Sequence, residues 1–105
     1  MEKTQEEIEQ EIARTRLPRA GEVLGVIIEM LGSGRIRAEC EDGFTRICRI
    51  PGKIRKRLWM RAGDVVLVKP WKVQTNERAD IAWRYTHTQA SWLKKKGYIK
   101  KIVLE

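Results

Sequence analysis

The chain has 105 residues, of which 22 are Lys or Arg and 14 are Asp or Glu, so its formal net charge at neutral pH is +8. This length suits one domain with a modest core and excludes a multidomain machine. The longest apolar run, VLGVIIEML, contains Glu29 and is too short to span a bilayer, and the acidic, polar N-terminus lacks the pattern of a secretory signal. We therefore predict a soluble protein of the cytoplasm with no membrane partner.

The charge is segregated along the chain. Residues 1–12 contain five Glu and one Lys, a net of −4, whereas residues 13–105 contain 21 basic and 9 acidic residues, a net of +12. A field of this strength over a small domain favours a polyanionic partner, through steering and through release of the counterions condensed around it. The alternative, a charge that only keeps the protein soluble, stays open at this point.

The N-terminal residues 1–19 are predicted to be a flexible acidic tail. Their helical apolar spacing joins only Ile8 and Ile12, so a frayed helix and a disordered segment are both compatible with the sequence. The tail ends at Leu17-Pro18-Arg19-Ala20-Gly21, because a proline pushes the preceding residue to an extended conformation.

Short strand patterns follow between turn signals. The run GEVLGVIIEML predicts a long first strand with Gly25 at a bend, and RIRAECE alternates strictly, so Ile36, Ala38 and Cys40 share a core face. The Asp42-Gly43 pair predicts a hairpin whose returning strand, residues 44–50, alternates imperfectly and is expected to contain a bulge. The runs VVLVKPW and DIAWRYT complete five strands.

These elements predict an all-β, five-stranded OB-fold barrel over residues 20–86, with a short helix in the connection between strands 3 and 4. The period changes in residues 87–105. A capping box at Thr86-His87-Thr88-Gln89 and a glycine at 97 predict a C-terminal helix over residues 87–96, with Ala90 and Leu93 inward. The remaining YIKKIVLE is expected to be extended or irregular and to pack on the barrel.

The connection between strands 3 and 4 carries the main candidate site. On a short helix Ile54, Leu58 and Met60 turn inward, and the cations then point to solvent: Lys53, Arg55, Lys56 and Arg57. A phosphate backbone would relieve the repulsion among these cations, with Arg forking onto oxygens and Lys acting as a mobile charge. Trp59 has two interpretations: a plug for the barrel bottom, favoured by the usual burial of Trp, or a stacking platform for an unpaired base.

Three further arginines are predicted on the solvent side of the second and third strands: Arg35, Arg37 and Arg46. There they would extend the positive surface across the sheet. The competing interpretation is ordinary cross-strand pairing with Glu39 and Glu41.

Two more aromatic features are open to either interpretation. Lys69 and Trp71 form a second spot for RNA where an aromatic ring accompanies cations, unless Trp71 beside Pro70 only covers an edge. Trp92 either anchors the C-terminal helix to the barrel or is an exposed handle for a partner protein.

No catalytic or metal-binding motif is visible in the sequence. The lone His87 suits a helix cap, and Cys40 and Cys48 match neither a CxxC pair nor a zinc finger, which indicates reduced structural thiols. A P-loop, a nucleophile elbow and a paired carboxylate site are also missing from the sequence. We predict a non-enzymatic monomer without cofactor or metal.

Three runs together resemble archaeal translation initiation factor 1A, a family related to bacterial initiation factor one: GRIRAECEDG, RICRIPGKIRKRLWMRAGDVVLVKPW and ADIAWRYTHTQASWLKKKGY. The resemblance covers about residues 17–99. It implies an OB-fold factor bound over the decoding region of the small ribosomal subunit at the aminoacyl-tRNA site. Such a factor aids initiator tRNA placement and start-codon selection with the initiation GTPase factors, and it catalyses no reaction.

The resemblance places the family's basic loop for ribosomal RNA on Lys53, Arg55, Lys56, Arg57 and the adjoining Trp59, with Arg35 and Arg46 on the matching strand surface. Eukaryotic relatives have a basic N-terminal tail and a long acidic C-terminal one, so the acidic N-terminus here favours the archaeal form. Two other functions stay open: a general single-stranded RNA chaperone, and a protein adaptor that docks through the helix bearing Trp92.

Overall fold

A computed structural model describes residues 2–55 and 59–104. Its elements in chain order are α1 (Gln5–Ala13), β1 (Val23–Gly32), β2 (Arg35–Cys40), β3 (Thr45–Arg49), α2 (Gly52–Arg55), β4 (Val65–Pro70), β5 (Arg78–Arg84) and α3 (His87–Lys95). The strands close into a barrel in the order β1-β2-β3-β5-β4, which confirms the predicted OB-fold with a helix between strands 3 and 4 and a C-terminal helix. Within the described ranges, the helices all fall short of the length and apolar character needed to cross a membrane.

The barrel closes because β1 pairs with both β2 and β4. Gly25 lies where both pairings coincide, and a Cβ there would come within 3.2 Å of the Glu39 carbonyl oxygen and of Val68 Cγ2. A larger residue at this position would therefore push the neighbouring strands apart. The interior is filled by strictly alternating positions such as Ile36, Ala38 and Cys40, all of them buried.

The core has two parts. One fills the barrel and includes Ile54 and Met60, which enter it from the two ends of the connection between β3 and β4. The other joins the outer side of β1 and β4 to α3 and the C-terminal segment through Leu93, Ile99 and Ile102. The helix that follows the barrel is therefore packed on it by apolar contact.

The prediction of a bulge in residues 44–50 is wrong. The pairing of β2 with β3 runs without a shift from Arg35 opposite Arg49 to Glu39 opposite Thr45. The residue that disturbs the apolar alternation is Arg46, which lies at an inward position opposite Ala38. The shifts in register occur instead between β1 and β2 and between β4 and β5.

Helix α1 lies within residues 1–19, the segment that we predicted from the sequence to be a flexible tail. A capping box starts it, in which the Glu7 amide donates to Thr4 Oγ1 at 3.1 Å. Its Glu11 then meets the start of α3: Thr86 Oγ1 donates to Glu11 Oε2 at 2.6 Å, and Gln89 Nε2 donates to the Glu11 carbonyl at 3.0 Å. These contacts join residues about 75 positions apart, so local pattern could not indicate them.

The backbone of the C-terminal segment, whose apolar side chains pack on the barrel, is also bound by one carboxylate. Gly97 ends α3 with φ of +85°, and the backbone amides of Lys100, Lys101 and Ile102 then donate to Glu41 at 2.6, 2.7 and 3.0 Å. Burial raises the pKa of Glu41, but these three amide donors outweigh it and hold the pKa below its ordinary value.

Candidate nucleic-acid interface

Helix α2 displays cations because its one apolar residue is inserted into the core. Ile54 is buried, while Lys53 and Arg55 on either side of it are exposed. The turn is closed by the amides of Ile54 and Arg55, which donate to the Pro51 carbonyl at 3.0 and 2.9 Å. Neither cation forms an ion pair with a carboxylate of residues 2–55 or 59–104. The other predicted cations of this cluster, Lys56 and Arg57, and the inward-facing Leu58 lie outside the described residues.

The guanidinium of Arg55 extends over the turn between β1 and β2. Arg55 Nη1 lies where a Cβ at Gly34 would be, and the φ of +72° at Gly34 is the reason that glycine is favoured there. The Ile50 amide donates to the Gly34 carbonyl at 2.8 Å, which joins this turn to the end of β3. The basic connection and the β1–β2 turn therefore form one continuous surface.

Trp59 does not plug the barrel, so the favoured interpretation of this residue is wrong. Its side chain is 84% exposed, and Met60, at 8%, fills the inward position instead. Neighbouring residues of an extended segment face opposite ways, so only one of the two could enter the core. Arg84 Nη1 donates to the Trp59 carbonyl at 2.9 Å and holds this segment beside β5. An exposed indole next to cations suits base stacking.

Arg46 is not on the solvent side, which corrects its assignment to the predicted interface. It is 1% exposed, and its Nη1 and Nη2 donate to the two carboxylate oxygens of Asp42 at 3.0 and 2.7 Å. Its Nε donates to the Thr75 carbonyl at 2.6 Å, and its guanidinium lies 5.5 Å from the centre of the Phe44 ring. All three nitrogens are therefore occupied inside the fold, and Arg46 is a structural residue.

The other two arginines of β2 differ from each other. Arg37 forms an ion pair with Glu29 on β1, whereas the competing interpretation had named Glu39 and Glu41 as partners. Glu41 is instead occupied with the C-terminal segment. Arg35 is exposed and lies opposite Arg49.

Arg35 belongs to a second basic surface, a groove of about 170 Å³ over β2, β3 and β5 that is lined by Arg35, Ile47, Arg49, Trp71 and Arg78. Asp80 orders two of these side chains: it accepts from Trp71 Nε1 at 3.0 Å and from Arg49 Nε and Nη2 at 3.2 and 3.1 Å. The indole of Trp71 is held in place while 38% of it stays exposed. Lys69, opposite Asp80 on β4, is also exposed.

Arg49 and Arg78 were missed in the sequence. The sequence could have indicated Arg49, because in β3 it lies two residues after Ile47 and therefore on the same solvent-facing side of the strand. Arg78 had none, since only the parallel pairing of β3 with β5 brings it opposite Ile47.

The two thiols lie inside the barrel. Cys40 and Cys48 are free and buried. Burial raises the pKa of both and brings that of Cys48 to about 12, so at neutral pH both are protonated and poor nucleophiles. In the described parts of the chain, no group of three His, Cys, Asp or Glu residues is arranged to hold a metal ion.

Comparison with known proteins gives one consistent result. The family model for translation initiation factor 1A / IF-1 matches residues 12–105. Translation initiation factor 1A of Methanothermobacter thermautotrophicus is 55% identical over 87% of this chain and 92% of its own. The corresponding factor of Archaeoglobus fulgidus is 54% identical over 88% and 96%. The solution structure of translation initiation factor IF-1 from the Wolbachia endosymbiont of Brugia malayi superimposes with a TM-score of 0.50 and 25% identity, covering 66% of this chain and 82% of that one.

Proposed function

This chain belongs to the translation initiation factor 1A / IF-1 family and takes part in translation initiation, and we propose that it does so by binding RNA of the small ribosomal subunit near the decoding region and aminoacyl-tRNA site. The observation that carries the proposal is the basic connection. Lys53 and Arg55 are exposed near each other and have no carboxylate partner in the described ranges, so their charge is free to neutralise the phosphates of an RNA ligand.

The two basic surfaces suit different parts of an RNA ligand. Lys53 and Arg55 are placed to contact phosphates, which position the protein, and the exposed indole of Trp59 is placed to stack on an unpaired base. The groove around Trp71 offers a second indole, already oriented by Asp80, among the arginines 35, 49 and 78. Together they form a positive surface with two aromatic contact points.

The proposed mechanism is occupancy of a site. A factor seated at the aminoacyl-tRNA site excludes elongator tRNA sterically, and this aids placement of initiator tRNA and selection of the start codon. Any change in the subunit follows from tighter binding of the factor to one conformation than to another. We propose the initiation GTPase factors as further partners and the cytoplasm as the place where the protein acts. This role requires no catalysis by the protein itself.

Chemical footprinting of the small subunit tests this proposal. We expect the full chain to protect nucleotides of the decoding region. A matched variant with Lys53→Glu and Arg55→Glu should lose this protection at the same concentration. Protection spread over the subunit without a focus, or an unchanged footprint with the variant, would contradict the proposal.

Competition separates this function from that of a general RNA chaperone. An initiation factor with a fixed ribosomal site should be displaced from the subunit only by a large excess of an unstructured oligonucleotide. A chaperone should bind both about equally at the same salt concentration. The adaptor function gains no support from Trp92, which is half-buried and stacks on Tyr98 with ring centres 6.3 Å apart.

A further inference from the structure

Strand β1 is longer than the pairing that covers it on one side. It pairs with β4 from Val23 to Val26, and the last backbone bonds on that side join Ile27 to Asp64 at 2.9 Å and to Gly63 at 2.7 Å. On its other side the pairing with β2 continues to Gly32. Residues 28–32 therefore have a backbone edge that no strand in residues 2–55 or 59–104 covers.

This uncovered edge carries exposed apolar side chains. Ile28 and Met30 are each 45% exposed and Leu31 is 39% exposed. Ile28 also lines a groove of about 340 Å³ together with Ala62 and with Val103, which is 75% exposed. An open strand edge beside apolar side chains is the surface to which an extended peptide adds as a further strand.

The surroundings of this edge are positive. Arg35 lies opposite Gly32 in the register, Arg55 extends over the adjoining turn at Gly34, and the exposed Arg61 begins the turn that meets Ile27. Of the acidic groups nearby, Glu29 is already paired with Arg37 and the Asp64 carboxylate accepts from the Arg61 amide at 3.1 Å, which leaves Glu39 on the groove wall. An acidic segment is therefore favoured over a basic one.

We propose that residues 28–32 are a docking site for an extended, acidic segment of a partner protein, which adds to β1 by backbone hydrogen bonds. Its apolar side chains alternate, so that one set packs on Ile28, Met30 and Val103 while carboxylates lie toward Arg61. A second copy of this chain is disfavoured because two equally positive surroundings would face each other across a self-paired edge. This proposal does not depend on RNA binding.

A titration of the isotope-labelled full chain with a blocked nonapeptide of alternating Glu and Val tests it. We expect chemical-shift changes and slowed amide exchange centred on residues 28–32. The matched peptide of alternating Lys and Val should bind about tenfold more weakly, since it places like charge against the arginines. Changes centred elsewhere, or equal binding of both peptides, would overturn the proposal.

A pair of variants sharpens the test. Ile28→Thr with Met30→Thr keeps β-forming residues and removes the apolar contact, so binding of the Glu–Val peptide should weaken about tenfold. The control is Val73→Thr, which removes an even more exposed apolar side chain (76%) in the loop before β5 and should change nothing.

Two further results would reject the proposed partner. If a decauridine oligonucleotide protects the same amides as strongly as the acidic peptide, the edge is an RNA surface. If protection rises with protein concentration alone, the occupant is a second copy of the chain.

Discussion

Two arginine environments in this small barrel show two ways of compensating a charge. At one end Arg46 is buried, with a carboxylate on its two terminal nitrogens and a carbonyl on the third. In the connection between β3 and β4, Arg55 is exposed and has no ion pair in the described ranges. A buried cation is tolerated only when hydrogen-bond and charge partners lie inside the fold. An exposed cation is solvated by water and stays available to bind an external ligand.

The comparison assigns different consequences to the same residue type. Burial lowers the pKa of Arg46, but its bonds to Asp42 outweigh this and the pKa is raised overall, so the charge is permanent. Removing it should cost stability. Removing Arg55 should cost affinity for RNA and leave the fold unchanged.

The largest expected effect is on folding. Arg46→Met should lower the free energy of unfolding by about 3 kcal/mol, because the Thr75 carbonyl loses its donor and Asp42 its buried partner. Urea denaturation measures the change, and Arg55→Met is the matched control, expected within about 0.5 kcal/mol of the parent. Equal losses for both variants would break the distinction between the two environments.

The next effect is on binding. Trp59→Ala should weaken binding to the small subunit by about 1–3 kcal/mol through loss of a stacking platform, with the melting temperature unchanged. Filter binding and a thermal melt on the same preparation measure both quantities. A lower melting temperature with unchanged affinity would restore the interpretation of Trp59 as a plug.

A third effect concerns a carboxylate satisfied entirely within the fold. The folded pKa of Glu41 lies below its ordinary value of 4.5, so its contribution to stability is complete above that pH and is lost as the pH falls through the folded pKa. Glu41→Gln should cost about 1–2 kcal/mol at neutral pH and flatten the acid limb of the stability profile. Unfolding curves from pH 7 down to about pH 3 test this, and an unchanged acid limb would count against the three-amide clamp.

The smallest effect is on salt dependence. Lys53→Gln should reduce the slope of log affinity against log salt by about 0.9 if this side chain neutralises one phosphate. Lys94→Gln on α3, which is also exposed, is the control and should leave the slope unchanged. A fall in affinity with no change of slope would mean that Lys53 acts through something other than a phosphate.

The sequence indicated the barrel because its signals are local. The alternation of residues 35–40, the Asp42-Gly43 turn and the capping box at Thr86 all lie within a few residues, and each appears in the structure. The exposed state of Lys53 and Arg55 was likewise readable, since Ile54 between them supplies the inward residue.

The corrections arise where distant parts of the chain meet. Arg46 appeared as a surface residue because its carbonyl partner, Thr75, lies 29 positions away. The sequence left helix α1 without a visible contact to the barrel, because its Glu11 is bound by Thr86, far away along the chain. Arg78 likewise gave no signal, because only the pairing of β5 with β3 brings it beside Ile47. Trp59 differed for another reason, since the choice between Trp59 and Met60 for one inward position depends on the packing of the barrel end.

The central claim is that RNA neutralises the cations in the connection between β3 and β4. The most direct test compares two variants, each with three positive charges reversed. Arg55→Glu, Lys56→Glu and Arg57→Glu change the net charge as much as Lys94→Glu, Lys95→Glu and Lys96→Glu at the C-terminal end of α3, so non-specific attraction to RNA falls equally in both. In filter binding to the small ribosomal subunit we predict that the first variant loses binding while the second retains it, with both folded. Equal losses in the two variants would contradict a specific role for the basic connection.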